Sequence, residues 1–308
     1  MPTNGPRLLC CDTVLVDVVL SVTRIPERAG DVRAGAHLVT TGGGFNAMSA
    51  AARFGQRVVY AGLLGTGPFA DLAAADLARE GIAVPLERPG DLDTGICVVL
   101  VEPDGERTFV TAAGAEGRLR RRDLAALDAA AGDLVLVSGY NVMYPGEAEV
   151  YLDWLASLDE GVRVAFDPAT RIADVPAAYL EAALARADWL LCNASEARAL
   201  SGEADPAVAA SSLARPGLAI VVRDGPRGCV VALRPGGATA VEGVAVEALD
   251  TNGAGDVHNG VFLAELLAGA TPRVAARWAN AAAAVAVTRR GPATGPTRAE
   301  VEGLLRVG

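Results

Sequence analysis

Short apolar runs alternate along most of this 308-residue chain with longer, alanine-rich stretches in which apolar residues recur at helical spacing. The runs predict buried strands, and the stretches predict helices with one apolar face. Their alternation is typical of βαβ units around a mostly parallel sheet. The hydrophobic pattern therefore predicts an α/β fold whose central sheet is flanked by helices.

Strands of the central sheet are predicted at residues 134–138, 162–166, 189–192, 219–223 and 229–233. Helices are predicted at residues 47–54, 70–80, 121–131, 147–157, 195–200 and 271–288. Two early regions differ: an extended run at 14–22 is followed by another at 33–41, and residues 95–101 face residues 107–111 across the turn Pro103-Asp104-Gly105. The second pair predicts a hairpin, so strands of antiparallel type precede the parallel ones.

Charge narrows the choice of partners. The formal net charge is −10, and all 27 basic residues are arginines, because the chain has no lysine. Such an acidic chain is a poor candidate for binding nucleic acid or an anionic membrane. A Walker A phosphate loop is excluded, since it needs a lysine. No apolar segment approaches the length of a membrane span.

The five cysteines are odd in number and contain no C-x-x-C pair, which fits neither a zinc site nor a disulfide framework. We expect small buried residues in a reducing compartment. Asp12 and Asp17 interrupt the N-terminal apolar run, which therefore does not read as a signal peptide. Together these features predict a cytoplasmic protein.

The stretch Asp250-Thr251-Asn252-Gly253-Ala254-Gly255-Asp256 carries the strongest chemical signal. Residues 245–249 before it can be extended, and apolar residues at helical spacing follow it. Gly253, Ala254 and Gly255 therefore lie where a helix begins, with free backbone N–H groups at the positive end of the helix dipole. Two glycines allow close approach, so the turn is predicted to hold a phosphate. Asp256 then places a carboxylate where it can accept the proton of an attacking hydroxyl.

A purely structural interpretation of this stretch stays open. Asn252-Gly253 is a favoured turn dipeptide, and Asp256 could simply cap the helix. The pattern that follows is helical rather than alternating, however, and a cap does not require the preceding Gly-Ala-Gly. The catalytic interpretation is therefore preferred.

This stretch resembles the C-terminal signature of the ribokinase-like (PfkB) carbohydrate and nucleoside kinases. Three further stretches resemble that family in the same order: Gly42-Gly43-Gly44-Phe45-Asn46-Ala47 with residues 51–55, residues 94–108, and Asn193-Ala194-Ser195-Glu196. The resemblance implies a single ribokinase-like domain over residues 1–308, with a small β-sheet lid built from insertions at approximately 12–41 and 94–112. It also implies ATP as phosphoryl donor, together with Mg²⁺.

For the phosphoryl acceptor, the resemblance assigns Asp17, Gly42, Gly43, Asn46 and Asn141. Asp17 lies in a β-branched run, where a carboxylate is costly to bury unless it is hydrogen-bonded, and sugar hydroxyls are suitable partners. The alternative is that Asp17 points to solvent on an edge strand and that Asn46 caps a helix after a flexible glycine turn. Asn141 stands where many sugar kinases carry a different polar residue, which weakens an assignment to ribose itself.

For the nucleotide, the resemblance assigns Asn193, Arg223, Gly225, Gly228 and Asn280, the last of these near the adenine. Asp224 departs from the family pattern, since it places an acid where the phosphates or ribose would pass. A solvated tight turn is the alternative for this loop, and a helix-surface asparagine is the simpler account of residue 280.

Two metal sites follow from the resemblance alone. Glu196 would hold Mg²⁺ through water, although Asn193 followed three residues later by Glu196 is also the pattern of a capping box. Asp250 and Asn252 would lie near a monovalent cation such as K⁺. His258, two positions after Asp256, is predicted to be a packed, hydrogen-bonded helix residue; contact with the substrate or with Asp256 is the alternative.

Together these features predict an ATP-dependent kinase that phosphorylates a primary hydroxyl of a sugar or sugar-like molecule, with Asp256 as general base and a homodimer formed through the lid. The alternatives are a nucleoside kinase of the same fold and a catalytically silent regulatory protein that binds nucleotide or sugar. A loose dinucleotide fingerprint at Gly65-Thr66-Gly67-Pro68-Phe69-Ala70 is a weak signal for an oxidoreductase.

Overall fold

Residues 5–307, which the computed structural model describes, form two β-sheets and two layers of helices. The strands are β1 Arg7–Cys10, β2 Val14–Ser21, β3 Ala36–Gly43, β4 Arg57–Tyr60, β5 Ile96–Val101, β6 Arg107–Ala112, β7 Leu134–Ser138, β8 Arg163–Asp167, β9 Trp189–Asn193, β10 Ala219–Arg223, β11 Gly228–Leu233 and β12 Gly237–Glu242. The helices are α1 Phe45–Arg53, α2 Pro68–Arg79, α3 Arg121–Ala125, α4 Glu147–Ser157, α5 Ala177–Arg186, α6 Ala194–Ser201, α7 Pro206–Leu213, α8 Ala254–Leu267, α9 Pro272–Ala286 and α10 Arg298–Val307.

The large sheet has eight strands in the order β12-β11-β10-β9-β8-β7-β1-β4. The six strands from β10 to β4 pair in parallel, and β11 and β12 add an antiparallel edge. Successive residues of each central strand enter opposite hydrophobic cores, so Leu134 and Leu136 face one helix layer while Val135 and Val137 face the other. Burial on both faces explains the near-continuous apolar runs in the sequence.

The smaller sheet has four strands in the order β3-β2-β5-β6. Its outer pairs β2–β3 and β5–β6 are antiparallel, and β2 and β5 pair in parallel in the middle. The predicted hairpin is therefore confirmed as β5 and β6. Strands of antiparallel type do precede the predicted parallel strands, but β1 and β4 of the parallel sheet were not predicted and lie before and between them.

Most predicted elements are present, with bounds that shift by at most three residues. One helix is much shorter than predicted: α3 ends at Ala125 instead of 131, because Asp128 turns the chain with a φ of 47°. Residues 245–249 form no strand. All five cysteines are buried and free, as expected from their spacing. None of the helices in the described part of the chain is long and apolar enough to cross a membrane.

Candidate active site

Five parallel strands end side by side, and each places a polar residue at or just beyond its carboxyl end. These residues are Asp12 after β1, Ser138 in β7, Asp167 in β8, Asn193 in β9 and Arg223 in β10. The chain first crosses from β1 to β4 and later returns to β7 on the other side, so β1 and β7 flank the point where the winding reverses. Ligands of open α/β sheets bind at such a point.

The packing of α1 against α8 brings Asn46 to Asp256. A Cβ atom at Gly260 in α8 would lie 2.1 Å from the carbonyl oxygen of Ala47, so only glycine permits this approach. Asn46 Nδ2 consequently donates to Asp256 Oδ2 at 2.9 Å, across 210 residues of sequence. The other amide atom, Asn46 Oδ1, is buried and has no hydrogen-bond partner among the described residues. An orphaned buried acceptor of this kind calls for a ligand or water donor.

The environment of Asp256 suits a base. Desolvation is the main cause that raises its pKa from 3.8 to about 7; the bond from Asn46 lowers it, and the charges of Asp12 and Asp167 raise it further. A carboxyl group with a pKa near neutrality is well matched to accepting and releasing protons at physiological pH.

Asp17 faces the same space from β2 in the smaller sheet. Burial raises its pKa to about 6, with a further contribution from the charge of Asp256. A Cβ atom at Gly42 would lie 2.1 Å from Asp17 Oδ2, so Gly42 leaves the room that this carboxylate occupies. The neighbouring Gly43 has a φ of 61° and lies against the carbonyl oxygen of Thr13. The structure thus brings four of the five predicted acceptor-site residues together with Asp256.

Asn141, the fifth of these residues, is held by hydrogen bonds within the fold. Its side chain is buried, where Oδ1 accepts from the backbone N–H of Ser138 at 2.9 Å and Nδ2 donates to the carbonyl oxygen of Cys11 at 2.9 Å. The amide therefore fastens the end of β7 to the end of β1.

Asp12 is a site residue that the sequence interpretation missed. Its Oδ1 accepts from Ser138 Oγ at 2.7 Å and from the backbone N–H of Thr13 at 2.9 Å. Burial raises its pKa to about 6 despite the hydrogen bond from Ser138. The available signal was its position directly after a strand at the carboxyl edge of the sheet.

A buried charge network lies on the other side of Asp256. The Arg223 guanidinium contacts Asp167 Oδ2 at 3.3 Å and Glu196 Oε2 at 3.7 Å, and it also donates to Asn259 Oδ1. Asn259 Nδ2 donates to Asp167 Oδ2 at 2.5 Å, which ties α8 to the end of β8. Sequence interpretation found Arg223 and Glu196 but missed Asp167 and Asn259.

The predicted phosphate turn has the geometry expected of it. Gly253 adopts a φ of 72° and α8 begins at Ala254, so the first amides of the helix have no partner within it. A Cβ atom at Gly255 would lie 3.6 Å from Arg223 Cζ, which places the guanidinium beside the turn. The helix dipole and the arginine both favour an anion here.

Asn193 and Glu196 form the capping box that the sequence left as one alternative. Asn193 Oδ1 accepts from the Glu196 backbone N–H at 2.9 Å, and Glu196 Oε2 accepts from the Asn193 backbone N–H at 2.8 Å. Burial raises the pKa of Glu196, as does the charge of Asp167, while Arg223 opposes the shift. Among the described residues no cluster of three His, Cys, Asp or Glu side chains could hold a metal ion.

Asn280 is buried, so it is not the helix-surface asparagine of the simpler account, and its amide makes its hydrogen bonds within the fold. Its Nδ2 donates to the carbonyl oxygens of Val241 and Glu242 at 2.9 and 3.1 Å, and its Oδ1 lies 3.1 Å from His258 Nε2. His258 is buried, and desolvation lowers its pKa to about 3. The prediction that His258 is a packed, hydrogen-bonded helix residue is confirmed.

The predicted nucleotide loop is a short turn between β10 and β11. A Cβ atom at Gly228 would lie 2.2 Å from the carbonyl oxygen of Val241, so this glycine serves the approach of β12. Gly225 begins the turn with a φ of 57°. Asp224 pairs with Arg227 at 2.7 Å, so the unexpected acid in the loop is neutralised locally.

Asp250 and Asn252 lie just before the phosphate turn. Asp250 Oδ1 accepts from the backbone N–H of Asn252 at 3.0 Å and pairs with Arg107 Nη2 at 2.6 Å. Its Oδ2 accepts from the backbone N–H of Gly291 at 3.0 Å.

The loose dinucleotide fingerprint is not built to hold a pyrophosphate. The α2 amides of Phe69 and Ala70, which would have to face that anion, already donate to the Asp93 carboxylate at 3.2 and 2.8 Å. The capping aspartate fills the anion position at this helix start.

Comparison with known proteins agrees with this geometry. A family model described as pfkB family carbohydrate kinase matches residues 6–299. The chain is 31% identical over 315 residues to the uncharacterised sugar kinase YegV of Escherichia coli, with 97% of this chain and 94% of that protein covered. It is 30% identical over 305 residues to an ATP-dependent ribose-1-phosphate kinase of Halopiger xanaduensis, with 97% and 98% covered.

Solved structures show the same fold. The crystal structure of ribokinase from Thermotoga maritima superposes with a TM-score of 0.82 at 26% identity, covering 98% of this chain and 100% of that one. The chain therefore belongs to the pfkB family of carbohydrate kinases and has the ribokinase-like fold. As a class it is a carbohydrate kinase.

Proposed function

We propose that this protein transfers the terminal phosphoryl group of ATP to a primary hydroxyl of a sugar or sugar-like polyol, with Asp256 as the general base. The observation that carries the proposal is the meeting of Asn46 and Asp256 at the start of α8, opposite Asp17. This arrangement sets carboxylates that accept hydrogen bonds beside a helix start that favours anions.

In the proposed reaction, the acceptor hydroxyl gives its proton to Asp256 as its oxygen bonds to the terminal phosphorus. The bond from that phosphorus to the bridging oxygen breaks, and the electron pair leaves with ADP. The amides of Gly253, Ala254 and Gly255 stabilise the charge that develops on the phosphoryl oxygens.

Hydroxyl-rich acceptors suit the groups that face the pocket. The carboxylates of Asp17 and Asp256 can accept from sugar hydroxyls, and the orphaned Oδ1 of Asn46 can accept one more. Gly42 and Gly43 leave the space that a side chain would fill.

We assign the phosphates of ATP to the turn at Gly253–Gly255 and to Arg223, with Asn193 and Gly225 at the neighbouring strand ends. Magnesium ions keep several waters and bind nucleotides through phosphate oxygens, so the absence of a carboxylate cluster in residues 5–307 is compatible with Mg²⁺ carried by the nucleotide. Glu196 remains our candidate for ordering the waters of that ion.

A nucleoside acceptor is the second candidate, and an exposed aromatic residue favours it. Tyr140 follows β7, is 42% exposed, and has its hydroxyl 3.1 Å from Thr170 Oγ1. Its ring could stack on a base. Phe45, another candidate platform, is buried in the core.

We further propose that the chain is one kinase domain whose smaller sheet closes over the acceptor and pairs with a second copy. The outermost strand β6 supports the pairing, because Phe109 and Val110 are 58% and 61% exposed. Light scattering of the purified protein, with and without a double change of these residues to Ser, tests the dimer.

The function is tested by incubating the protein with ATP, Mg²⁺ and a panel of sugars, polyols and nucleosides while ADP release is followed. We expect acceptor-dependent ADP release with a sugar or polyol, and release that is slower by about 10²–10⁴-fold with Asp256→Asn. Turnover with nucleosides alone would support the second candidate. Binding of ATP and sugar without turnover would instead indicate a silent regulatory protein.

A further inference from the structure

Asp250 joins three separate parts of the molecule through one carboxylate. Its Oδ1 accepts from the backbone N–H of Asn252 in the phosphate turn at 3.0 Å and from Arg107 Nη2 at 2.6 Å. Its Oδ2 accepts from the backbone N–H of Gly291 at 3.0 Å, in the loop between α9 and α10. Arg107 belongs to β6 of the smaller sheet and lies 143 residues away in sequence.

The Asp250 carboxylate holds the phosphate turn in place. Its bond to Asn252 sets the turn immediately before Gly253, and Gly253 starts α8. The loop carrying Gly291 packs on the same turn, because a Cβ atom at Gly253 would lie 3.7 Å from the backbone nitrogen of Ala293. A change in the position of Asp250 would therefore also move the backbone amides that are proposed to stabilise the transferring phosphoryl group.

The Arg107 guanidinium contacts the same carboxylate, Asp250, near which the family resemblance puts a monovalent cation. The side chains of Arg107 and Asp250 are only 26% and 20% exposed, so their attraction is less screened than that of a surface pair. Partial burial alone would raise the pKa of Asp250, but the amides of Asn252 and Gly291, together with Arg107, outweigh it and hold that pKa below its ordinary value. A potassium ion at this carboxylate would meet a positive charge already at contact distance, so the residues present do not fit one.

We propose that Arg107 is a built-in cation for the phosphate turn, and that this kinase consequently needs no monovalent cation. This rests on the proposed function in one respect, since the turn is taken to bind the transferring phosphoryl group. Arg107 is a positioning residue that acts through Asp250. Because it is carried by the smaller sheet, the position of that sheet and the order of the phosphate turn become linked.

The wild-type protein supplies the first test. Activity and melting temperature are measured in potassium chloride and in tetramethylammonium chloride at one ionic strength, since tetramethylammonium is too large to replace K⁺ at a carboxylate. We expect no difference between the two salts. A marked loss of activity or stability in tetramethylammonium chloride would show that a potassium site exists beside Arg107 and would overturn the proposal.

The second test removes the guanidinium. Arg107→Ala leaves Asp250 half-buried and unpaired, a state that a free cation can relieve. We expect a lowered melting temperature that K⁺ raises and tetramethylammonium does not, because an ion that binds only the folded state stabilises it. Activity should rise by about tenfold on adding K⁺, the ratio that corresponds to 1.4 kcal/mol. A variant that responds equally to both salts contradicts the proposal.

Two further variants serve as controls. Arg107→Ala combined with Asp250→Asn removes the negative charge, so the response to K⁺ should disappear. Arg118→Ala breaks a pair with Asp91 of the same 2.6 Å length whose side chains are 52% and 68% exposed, and it should behave like wild type in both salts. The melting curves do not depend on turnover. If no kinase activity is found but the melting temperature of Arg107→Ala responds to K⁺, the proposed function is wrong and the proposal of a built-in cation is supported.

Discussion

The acidic residues of the site fall into two groups that differ in their partners. Asp12, Asp17 and Asp256 make no ion pair with an arginine among residues 5–307. Asp167, Glu196 and Asp250 each lie within 4 Å of an arginine nitrogen. The first group surrounds the space proposed for the acceptor, and the second surrounds the turn proposed for the phosphates.

We infer that the carboxylates without an arginine partner serve to bind ligand, and that those with one stabilise the structure of the site. Burial without a cation raises the pKa values of Asp12, Asp17 and Asp256 to about 6, 6 and 7. Such groups cost stability when ionised, as expected of residues kept for function. The arginine-paired carboxylates fix strand ends and loops, so removing one of them should mainly lower the free energy of unfolding.

The largest effect is expected for Asp256→Asn. An amide cannot accept the hydroxyl proton, so turnover should fall by about 10²–10⁴-fold, the usual contribution of a general base. ATP affinity should stay near that of wild type, measured by calorimetry, because Asn46 can still hydrogen-bond to the new side chain. A variant that keeps turnover within a few-fold of wild type would remove Asp256 from the mechanism.

Asp167→Ala should act on stability instead. It leaves Arg223 buried with only the more distant Glu196 as counter-charge, and breaking a buried pair costs roughly 3 kcal/mol. Urea denaturation measures the loss in the free energy of unfolding. Asp224→Ala is the matched control, since it breaks the Asp224–Arg227 pair, in which Arg227 is exposed, and should cost at most about 1 kcal/mol. Equal losses in the two variants would mean that the network does not support the fold.

Asp17→Ala should weaken binding of the acceptor. Charge-assisted hydrogen bonds to hydroxyls are worth about 1.5–3 kcal/mol, so the acceptor KM should rise by one to two orders of magnitude while the KM for ATP stays nearly constant. The melting temperature should hold or rise, since a poorly solvated acid is removed. An unchanged acceptor KM would mean that Asp17 lies outside the pocket.

Glu196→Gln should have the smallest effect of the four substitutions. Glutamine can still close the capping box, and Arg223 keeps its nearer partner Asp167 at 3.3 Å, so the melting temperature should fall less than in Asp167→Ala. If Glu196 also orders waters around Mg²⁺, the Mg²⁺ concentration for half-maximal activity should increase. If this Mg²⁺ concentration is unchanged, Glu196 only caps α6 and contacts Arg223.

Sequence patterns predicted the sheet and the phosphate turn because both depend on local signals, namely apolar period and glycine placement. They missed Asp12 and Asp167, although each lies at the carboxyl end of a strand. An aspartate there is also common as a simple turn residue, and only the sheet order shows that these strand ends meet.

The surroundings of polar residues deep in the fold could not be predicted from the sequence. Whether Asn141 and Asn280 face a ligand or a backbone carbonyl depends on a rotation of the side chain, about which sequence spacing carries no information. The Arg107–Asp250 pair was missed for a related reason, since it joins β6 of the smaller sheet to the loop before α8. Contacts of this kind follow from tertiary packing alone.

The proposed role of Asp256 as a general base that is ionised and has no ion pair can be tested by the pH dependence of kcat/KM. The pKa of Asp256 in the folded state is raised, so its carboxylate form dominates only above about pH 7. The same shift means that ionisation of Asp256 lowers the stability of the fold as pH rises from 3.8 toward 7. We predict that kcat/KM falls by about tenfold per unit below that pKa and levels off above it. A profile that is flat through neutrality and falls only near 3.8, the ordinary value for aspartate, would contradict the account.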